Sequence, residues 1–242
     1  MTLPNLFFFV GLPYIALVIF LVGTIQRYRN TGFKVSSLSS QFLEGRQLFW
    51  ASVPFHFGIL VVFFGHFIAF LIPAGVLAWN SNPVRLLVLQ MTAWAFGLSV
   101  LVGLVGLILR RLTNVRVKMV TSRMDLLIEL LLLVQTGLGL YIGYAHRWGS
   151  SWFAADLSPY LWSLFMLDPQ ITAVSAMPLV IQLHIVNAFL IFAVFPYTRL
   201  VHILVAPLHY ISRPYQRVIW NWDRSAVRDP RTPWSEARPK NN

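Results

Sequence analysis

One uncharged stretch limits what this chain can fold into more than any other feature. It runs from Phe49 to Pro73 and reads FWASVPFHFGILVVFFGHFIAFLIP. About 20 consecutive apolar residues are enough for a helix to cross a lipid bilayer, so this stretch is long enough. It nevertheless contains two histidines, His56 and His66. Ionisable side chains are costly inside a membrane and usually mark a functional site there.

Further apolar runs extend this pattern along most of the chain. The sequence is 57% hydrophobic and only 11% charged, which is too apolar for an ordinary soluble domain. Hydropathy therefore predicts an all-α integral membrane bundle of five transmembrane helices within residues 1–216, followed by a basic tail at 217–242. The expected spans are Asn5–Ile25, Leu48–Ile72, Leu86–Leu109, Asp125–Ala145 and Leu179–Val205.

The basic residues predict the orientation of the bundle. Of the 19 lysines and arginines, all except Arg85 and Arg147 fall in the loops and the tail on one side. Because cytoplasmic loops carry the excess of positive charge, we expect a periplasmic N-terminus and a cytoplasmic C-terminus. The protein would then be a multi-pass protein of a bacterial or archaeal cell membrane. This distribution also explains the net charge of +11 without a nucleic-acid partner.

The chain contains no cysteine. This excludes disulfides, thiolate zinc sites, cysteine-ligated iron–sulfur clusters and covalently attached c-type haem. Any redox chemistry in this chain would have to use histidine ligands and partner proteins.

The last apolar run repeats the arrangement of the second with His184 and His202. In the expected topology these two spans are antiparallel, so His56 would pair with His202 near the cytoplasm and His66 with His184 near the periplasm. Imidazole is a natural axial ligand of haem iron, and helical bundles build cofactor sites from facing side chains. The sequence therefore predicts two b-type haems, one above the other.

The spacing of the two histidine pairs is unequal on ideal helices. His56 and His66 would lie ~15 Å apart along the helix axis, whereas His184 and His202 would lie on one face ~27 Å apart. The pairs can be level only if the ligand axes tilt or if Pro54 distorts the start of the second span.

Other interpretations of these residues stay open. A single intramembrane histidine is more often a helix–helix hydrogen-bonding group than a ligand. Gly65, next to His66, would let either a flat macrocycle or a neighbouring helix approach. A haem-free transporter or structural anchor would bond its histidines to polar groups of adjacent helices, although the spans lack the inverted repeats of many transporters.

Two segments carry a family resemblance. FHFGILVVFFGHF and FPYTRLVHILVAPLHYISRPYQ, together with the order of the spans, resemble the respiratory nitrate reductase gamma subunit over roughly Asn5–Gln216. That family is a dihaem cytochrome b that anchors its complex and oxidises quinol. The resemblance implies that His56, His66, His184 and His202 are the axial ligands of two haem b groups.

The resemblance also implies a function. A quinol site, for menaquinol or ubiquinol, would lie beside the periplasmic haem, with a basic residue at the start of the third span, here Arg85. We expect His66 to lie near one quinol oxygen and Arg85 to polarise or hydrogen-bond the other part of the head group. Electrons would pass to a cytoplasmic iron–sulfur (beta) subunit and then to a molybdenum-containing catalytic (alpha) subunit. Arg85 could instead be an interfacial arginine that reaches towards water, and a related dihaem anchor could serve another quinone-linked reductase, such as one in sulfur metabolism.

Two further expectations concern the ends of the bundle. The aromatic connection at 147–178 is expected to lie in the outer membrane interface rather than to form a sixth span. At the cytoplasmic end, Arg110, Arg111 and Arg199 are candidate partners for haem propionates, and Glu129 is expected to pair with an arginine of the inner face.

Overall fold

The computed structural model describes residues 3–32, 35–205 and 212. Within this part of the chain, all regular secondary structure is helical. The helices, in chain order, are α1 Leu3–Thr31, α2 Arg46–Leu71, α3 Pro73–Asn80, α4 Pro83–Thr113, α5 Val115–Met119, α6 Arg123–Ala145, α7 Gly149–Trp152, α8 Ser158–Phe165, α9 Thr172–Ala176 and α10 Leu179–Val194.

In the described ranges, five helical segments are long and apolar enough to cross a membrane: α1, α2, α4, α6, and α10 with its following turn to Tyr197. The protein is therefore an all-α, multi-pass membrane protein, as the hydropathy predicts. In the most apolar 18-residue stretch of α2, only 11% is buried against other parts of the chain. Most of the apolar surface of this helix is thus free to meet lipid or another apolar group.

The closest helix pair, α2 and α4, packs through glycines. A Cβ atom added at Gly58 would lie 2.7 Å from the carbonyl oxygen of Phe96, and one at Gly103 would lie 2.5 Å from the backbone nitrogen of Phe55. Small residues let helix backbones approach closely in membranes. Helix α4 also packs against α6, while α10 lies against both α1 and α6.

The last predicted span is not one continuous helix, which corrects the expectation of a helix to Val205. Helix α10 ends at Val194, a 3₁₀ turn covers Phe195–Tyr197, Thr198 is extended, and a second 3₁₀ segment runs over Arg199–Val205. Pro196 explains the break, because proline lacks the N–H group that a continuing helix needs. The estimate that His184 and His202 are ~27 Å apart on one helical face is therefore wrong.

Pro54, by contrast, lies inside the uninterrupted helix α2. The carbonyl oxygen of Pro54 accepts a hydrogen bond of 2.9 Å from the hydroxyl of Ser99 on α4. The unequal axial spacing expected for the two histidine pairs is therefore removed by the break after α10 and not by an interruption of α2.

The connection at 147–178 forms short helices that pack on the end of the bundle where α2 finishes, here called the His66 end. The hydroxyl of Ser158 donates to the carbonyl of Ala69 at 2.8 Å, and the hydroxyl of Tyr160 donates to the carbonyl of Phe9 at 2.9 Å. Tyr160 is 1% exposed, and burial raises its pKa. This connection is therefore part of the packed structure, and it contains no span.

The expected boundary between residues 1–216 and 217–242 lies outside the described residues, as does the whole of the expected tail.

Candidate functional site

Two of the four candidate histidines are brought together at the opposite end of the bundle, here called the His56 end. The ring centroids of His56 on α2 and His202 after the helix break lie 6.2 Å apart, with the ring planes at 63°. Two axial imidazoles, each with its nitrogen ~2.0 Å from a metal and its centroid about 1 Å farther back, would have centroids about 6 Å apart. The separation of His56 and His202 therefore fits one metal ion between them.

Three of the histidines are oriented by backbone carbonyls of their own segments. Nδ1 of His56 lies 2.8 Å from the carbonyl oxygen of Ser52, Nδ1 of His66 lies 2.8 Å from that of Val62, and Nδ1 of His202 lies 2.6 Å from that of Arg199. An Nδ1–H group that donates to a carbonyl fixes the tautomer and leaves the Nε2 lone pair available. These contacts thus prepare the Nε2 atoms of three imidazoles for a metal.

His184 is held differently. Its Nε2 accepts a hydrogen bond from the side-chain amide of Gln135 on α6 at 3.1 Å, and Asn187 donates to the amide oxygen of Gln135 at 2.7 Å. The Nδ1 atom of His184 is buried and has no hydrogen-bond partner within the described part of the chain. His184 lies close enough to His66 for their charges to interact, but iron at Nε2 of His184 would have to displace Gln135.

Gln135 and Asn187 are site residues that the sequence reasoning missed. Each is an uncharged polar residue within an otherwise apolar run, in LLLLVQTGLGL and LVIQLHIVNAF. That isolated polarity was the available signal, since polar groups at membrane depth need partners.

The glycines near the histidines have different surroundings. Gly58 is a helix-packing residue, whereas nothing lies within 4 Å of a Cβ atom added at Gly65. Gly65 therefore faces open space beside His66. On α6, a Cβ atom at Gly139 would lie 3.2 Å from Cε1 of His184, so this glycine makes room for the imidazole.

Arg85 lies exposed at the start of α4. The side chain of Asn82 caps this helix by accepting hydrogen bonds from the backbone N–H groups of Val84 and Arg85. The guanidinium carbon of Arg85 lies 5.1 Å from the ring centroid of Trp79, a cation–π distance.

Trp79 also lines an open apolar cleft of about 390 Å³ between the end of α2, α3 and the start of α4, together with Ile68, Ile72, Gly75, Val76 and Leu89. Small-molecule sites usually have volumes of about 300–1,000 Å³. His66 is not among the lining residues, and its ring lies against Phe153 with centroids 5.3 Å apart. The structure therefore associates Arg85 with the cleft through Trp79 but shows no direct contact between Arg85 and His66 in the described part.

The arginines at the His56 end are engaged by protein groups. Arg110 is 4% exposed and pairs with Glu44 at 2.7 Å. Arg111 pairs with Glu129 at 2.5 Å, as was expected for this glutamate. Arg199 pairs with Asp125 at 2.6 Å. The three propionate candidates thus already have carboxylate partners.

The donor set matches haem better than a bare metal ion. Among the described residues, no cluster of three or more histidine, aspartate or glutamate side chains could hold a metal ion alone. Haem iron needs only two protein ligands, because its macrocycle supplies the others, and paired imidazoles meet that need. The separation of His56 and His202 meets this requirement, whereas Nε2 of His184 is occupied by Gln135.

Comparisons with known proteins identify the family of this chain. The profile of the nitrate reductase gamma subunit family matches residues 5–221. The respiratory nitrate reductase 2 gamma chain of Escherichia coli K12 is 34% identical over 218 residues, which are 88% of this chain and 96% of the relative. The nitrate reductase gamma chain of Bacillus subtilis 168 is 33% identical over 208 residues, with 84% and 93% covered.

A longer relative is the nitrate reductase-like protein NarX of Mycobacterium tuberculosis H37Rv. It is 35% identical over 221 residues, which are 86% of this chain but 33% of the relative. The chain thus spans about a third of the mycobacterial protein and nearly the whole of the two gamma chains. The family match and these identities establish that the chain belongs to the nitrate reductase gamma subunit family.

Proposed function

We propose that this chain is the quinol-oxidising, dihaem cytochrome b subunit of a respiratory nitrate reductase. Family membership supports its role as a membrane subunit of such a complex. The observation that carries the redox proposal is the pair His56 and His202, whose ring centroids are 6.2 Å apart. Haem iron bound at this pair and at His66 with His184 would supply one-electron carriers at two depths in the membrane.

The direction of electron flow follows from the proposed orientation. The positive-inside rule places the His66 end at the periplasm and the His56 end at the cytoplasm. Quinol oxidation at the His66 end would release protons outside while electrons move inward. Each charge moved against the membrane potential stores ~2.3 kcal/mol per 100 mV.

Nitrate chemistry would lie on other subunits. The chain has no cysteine for an iron–sulfur cluster, so electrons that reach the His56 end must leave to a partner. We assign this role to an iron–sulfur beta subunit in the cytoplasm, which would pass electrons to a molybdenum-containing alpha subunit. The many arginines of this face support docking of such a partner.

Quinol would bind between the cleft beside Trp79 and the outer histidine pair. Arg85 is an exposed cation at this cleft, and it would donate hydrogen bonds to one oxygen of the head group. His66 would hold the metal through Nε2 and would offer its Nδ1–H to the other oxygen. That N–H group already donates to the carbonyl of Val62, so quinol would share it. Open space beside Gly65 supports the approach of a flat ring on this side.

Replacement of Arg85 tests this site. We expect Arg85→Ala to lower kcat/KM for quinol about 10–100-fold, because a hydrogen bond from a charged group is worth ~1.5–3 kcal/mol. Arg147→Ala is the matched control, since Arg147 also stacks on a tryptophan, with 5.3 Å to the ring of Trp148. Steady-state oxidation of a soluble quinol analogue by the assembled complex measures both variants. Normal quinol oxidation by Arg85→Ala would show that Arg85 is only an interfacial arginine.

One observation favours the haem-free alternative. The hydrogen bond between Gln135 and His184 is the kind of polar helix–helix contact that a transporter or structural anchor would use. The relatives named as gamma chains weigh against it, and a count of haem per chain separates the two.

A further inference from the structure

The segment that carries His202 begins with a break that leaves backbone carbonyls without helical partners. Helix α10 ends at Val194, and Pro196 lacks an N–H group to continue it. Thr198 is then extended, with ψ at 179°. Backbone carbonyls in a membrane must find hydrogen-bond donors within the protein.

Arg27, from the neighbouring helix α1, supplies these donors. Its Nη1 group donates to the carbonyl of Pro196 at 2.5 Å and to that of Thr198 at 2.9 Å. Gly23 lies one turn earlier on the same face of α1, and a Cβ atom there would lie 3.0 Å from Cβ of Pro196. The glycine lets the broken segment come close, and the arginine binds it.

A second clamp holds the residue that follows. The guanidinium of Arg199 binds both carboxylate oxygens of Asp125, at 2.6 and 3.0 Å. It also donates to the carbonyl of Leu38. The carbonyl of Arg199 in turn accepts the hydrogen bond from Nδ1 of His202 at 2.6 Å. The orientation of the His202 ring is thus set by a peptide unit directly after the one that Arg27 binds.

We infer that Arg27 is a positioning residue for His202, and that it holds the broken segment where His202 can share one haem iron with His56. The inference rests on the proposed function, because it concerns how this chain presents one of its axial ligands. It assigns Arg27 a role that a membrane-interface arginine alone would not have. The outer pair, His66 and His184, has no described contact with Arg27, so the effect is confined to one haem.

Charge-neutral replacement tests the inference. We expect purified Arg27→Gln to retain the outer haem but to lose most of the inner haem, so that the haem content falls from two towards one per chain. Any inner haem that remains should show a shifted midpoint potential. Arg27→Lys keeps a cationic donor and should retain more of the inner haem. Arg29→Gln is the matched control, because Arg29 is an exposed arginine on the same helix turn, and it should retain both haems.

Gly23→Val tests the contact between Arg27 and the broken segment in a second way, because the larger side chain would push Pro196 away while Arg27 is unchanged. It should also lower the inner haem content selectively. Redox titration and absorbance of each variant, with His56→Ala as the reference for loss of the inner haem, identify which haem has changed. Two haems with an unchanged inner potential in Arg27→Gln would overturn the inference, and so would equal loss of both haems. A wild-type protein without haem would instead overturn the proposed function itself.

Discussion

The hydrogen bonds of the imidazole Nδ1 atoms determine how three of the four candidate histidines are oriented. His56, His66 and His202 each direct Nδ1 to a carbonyl three or four residues earlier. Such a contact fixes the ring before any metal binds and reduces the loss of side-chain freedom on ligation. His184 lacks this arrangement and depends on Gln135 instead, which makes the outer pair the more sensitive of the two to changes nearby.

A substitution at Gly139 tests that sensitivity. Because a Cβ atom there would lie 3.2 Å from Cε1 of His184, Gly139→Val should push the imidazole aside, and overpacking of this kind costs ~1–3 kcal/mol. We expect the outer haem to be lost while the inner haem stays, as measured by haem content and redox titration. Gly137→Val, on the same helix, is the control, since nothing lies within 4 Å of an added Cβ atom there. Equal haem content in the two variants would contradict the arrangement at His184.

The sequence singled out four histidines as candidate site residues but did not show what holds them. His56, His66, His184 and His202 stand out because they interrupt long apolar runs. Their role as haem ligands stays a prediction. The partnership of His184 with Gln135 could not be predicted, because it depends on how α6 and α10 are rotated about their axes, and hydropathy carries no information on rotation within an apolar bundle.

Among the helices and loops, the loop before α2 has the clearest structural role. Glu44 accepts hydrogen bonds from the backbone N–H groups of Gln47 and Leu48 at the start of α2, and it pairs with the buried Arg110 at the end of α4. Burial acts to raise the pKa of Glu44, but the hydrogen bonds from Arg110, Gln47 and Leu48 outweigh it and hold the pKa below its ordinary value. One carboxylate thus joins two transmembrane helices.

This pairing predicts a pH-dependent contribution to stability. Because the pKa of Glu44 is lower in the folded than in the unfolded protein, its contribution is present at neutral pH and is lost as the pH falls through the folded pKa. Glu44→Gln should therefore lower the melting temperature in detergent at pH 7, by about 2–4 °C for each kcal/mol lost. The difference from the wild type should shrink in acid. Asp156→Asn, an exposed carboxylate in no described ion pair, is the control. A difference that is constant from pH 7 to pH 3 would contradict this account.

The five spans were predictable to within a few residues because each is a long apolar run, whereas the end of the fifth was not. The sequence stays apolar through Phe195–Val205, so hydropathy does not reveal the change from α-helix to 3₁₀ segments. Pro196 was the signal for the break. The break is followed by His202, whose ring centroid lies 6.2 Å from that of His56. We infer that this position depends on Arg27 and Gly23 of α1, which is far from the segment in sequence but packs against it.

For the molecule as a whole, the two ends of the bundle differ in the groups that they contain. The His56 end contains the ion pairs of Arg110, Arg111 and Arg199, which fix the loops at this end. The His66 end is covered by the short helices of the 147–178 connection and has an apolar cleft beside Arg85. The proposed function uses this asymmetry, with quinol at one end and electron exit at the other. The orientation in the membrane stays a prediction from charge.

The most direct test of the central claim is the haem content of the purified protein with its reduced-minus-oxidised absorbance spectrum. We predict two b-type haems per chain, one lost in His56→Ala and the other in His66→Ala. The two variants should lose different components of the redox titration, because each histidine belongs to a different pair. A well-folded wild-type preparation without haem would contradict the account, and the four histidines would then be hydrogen-bonding groups between helices.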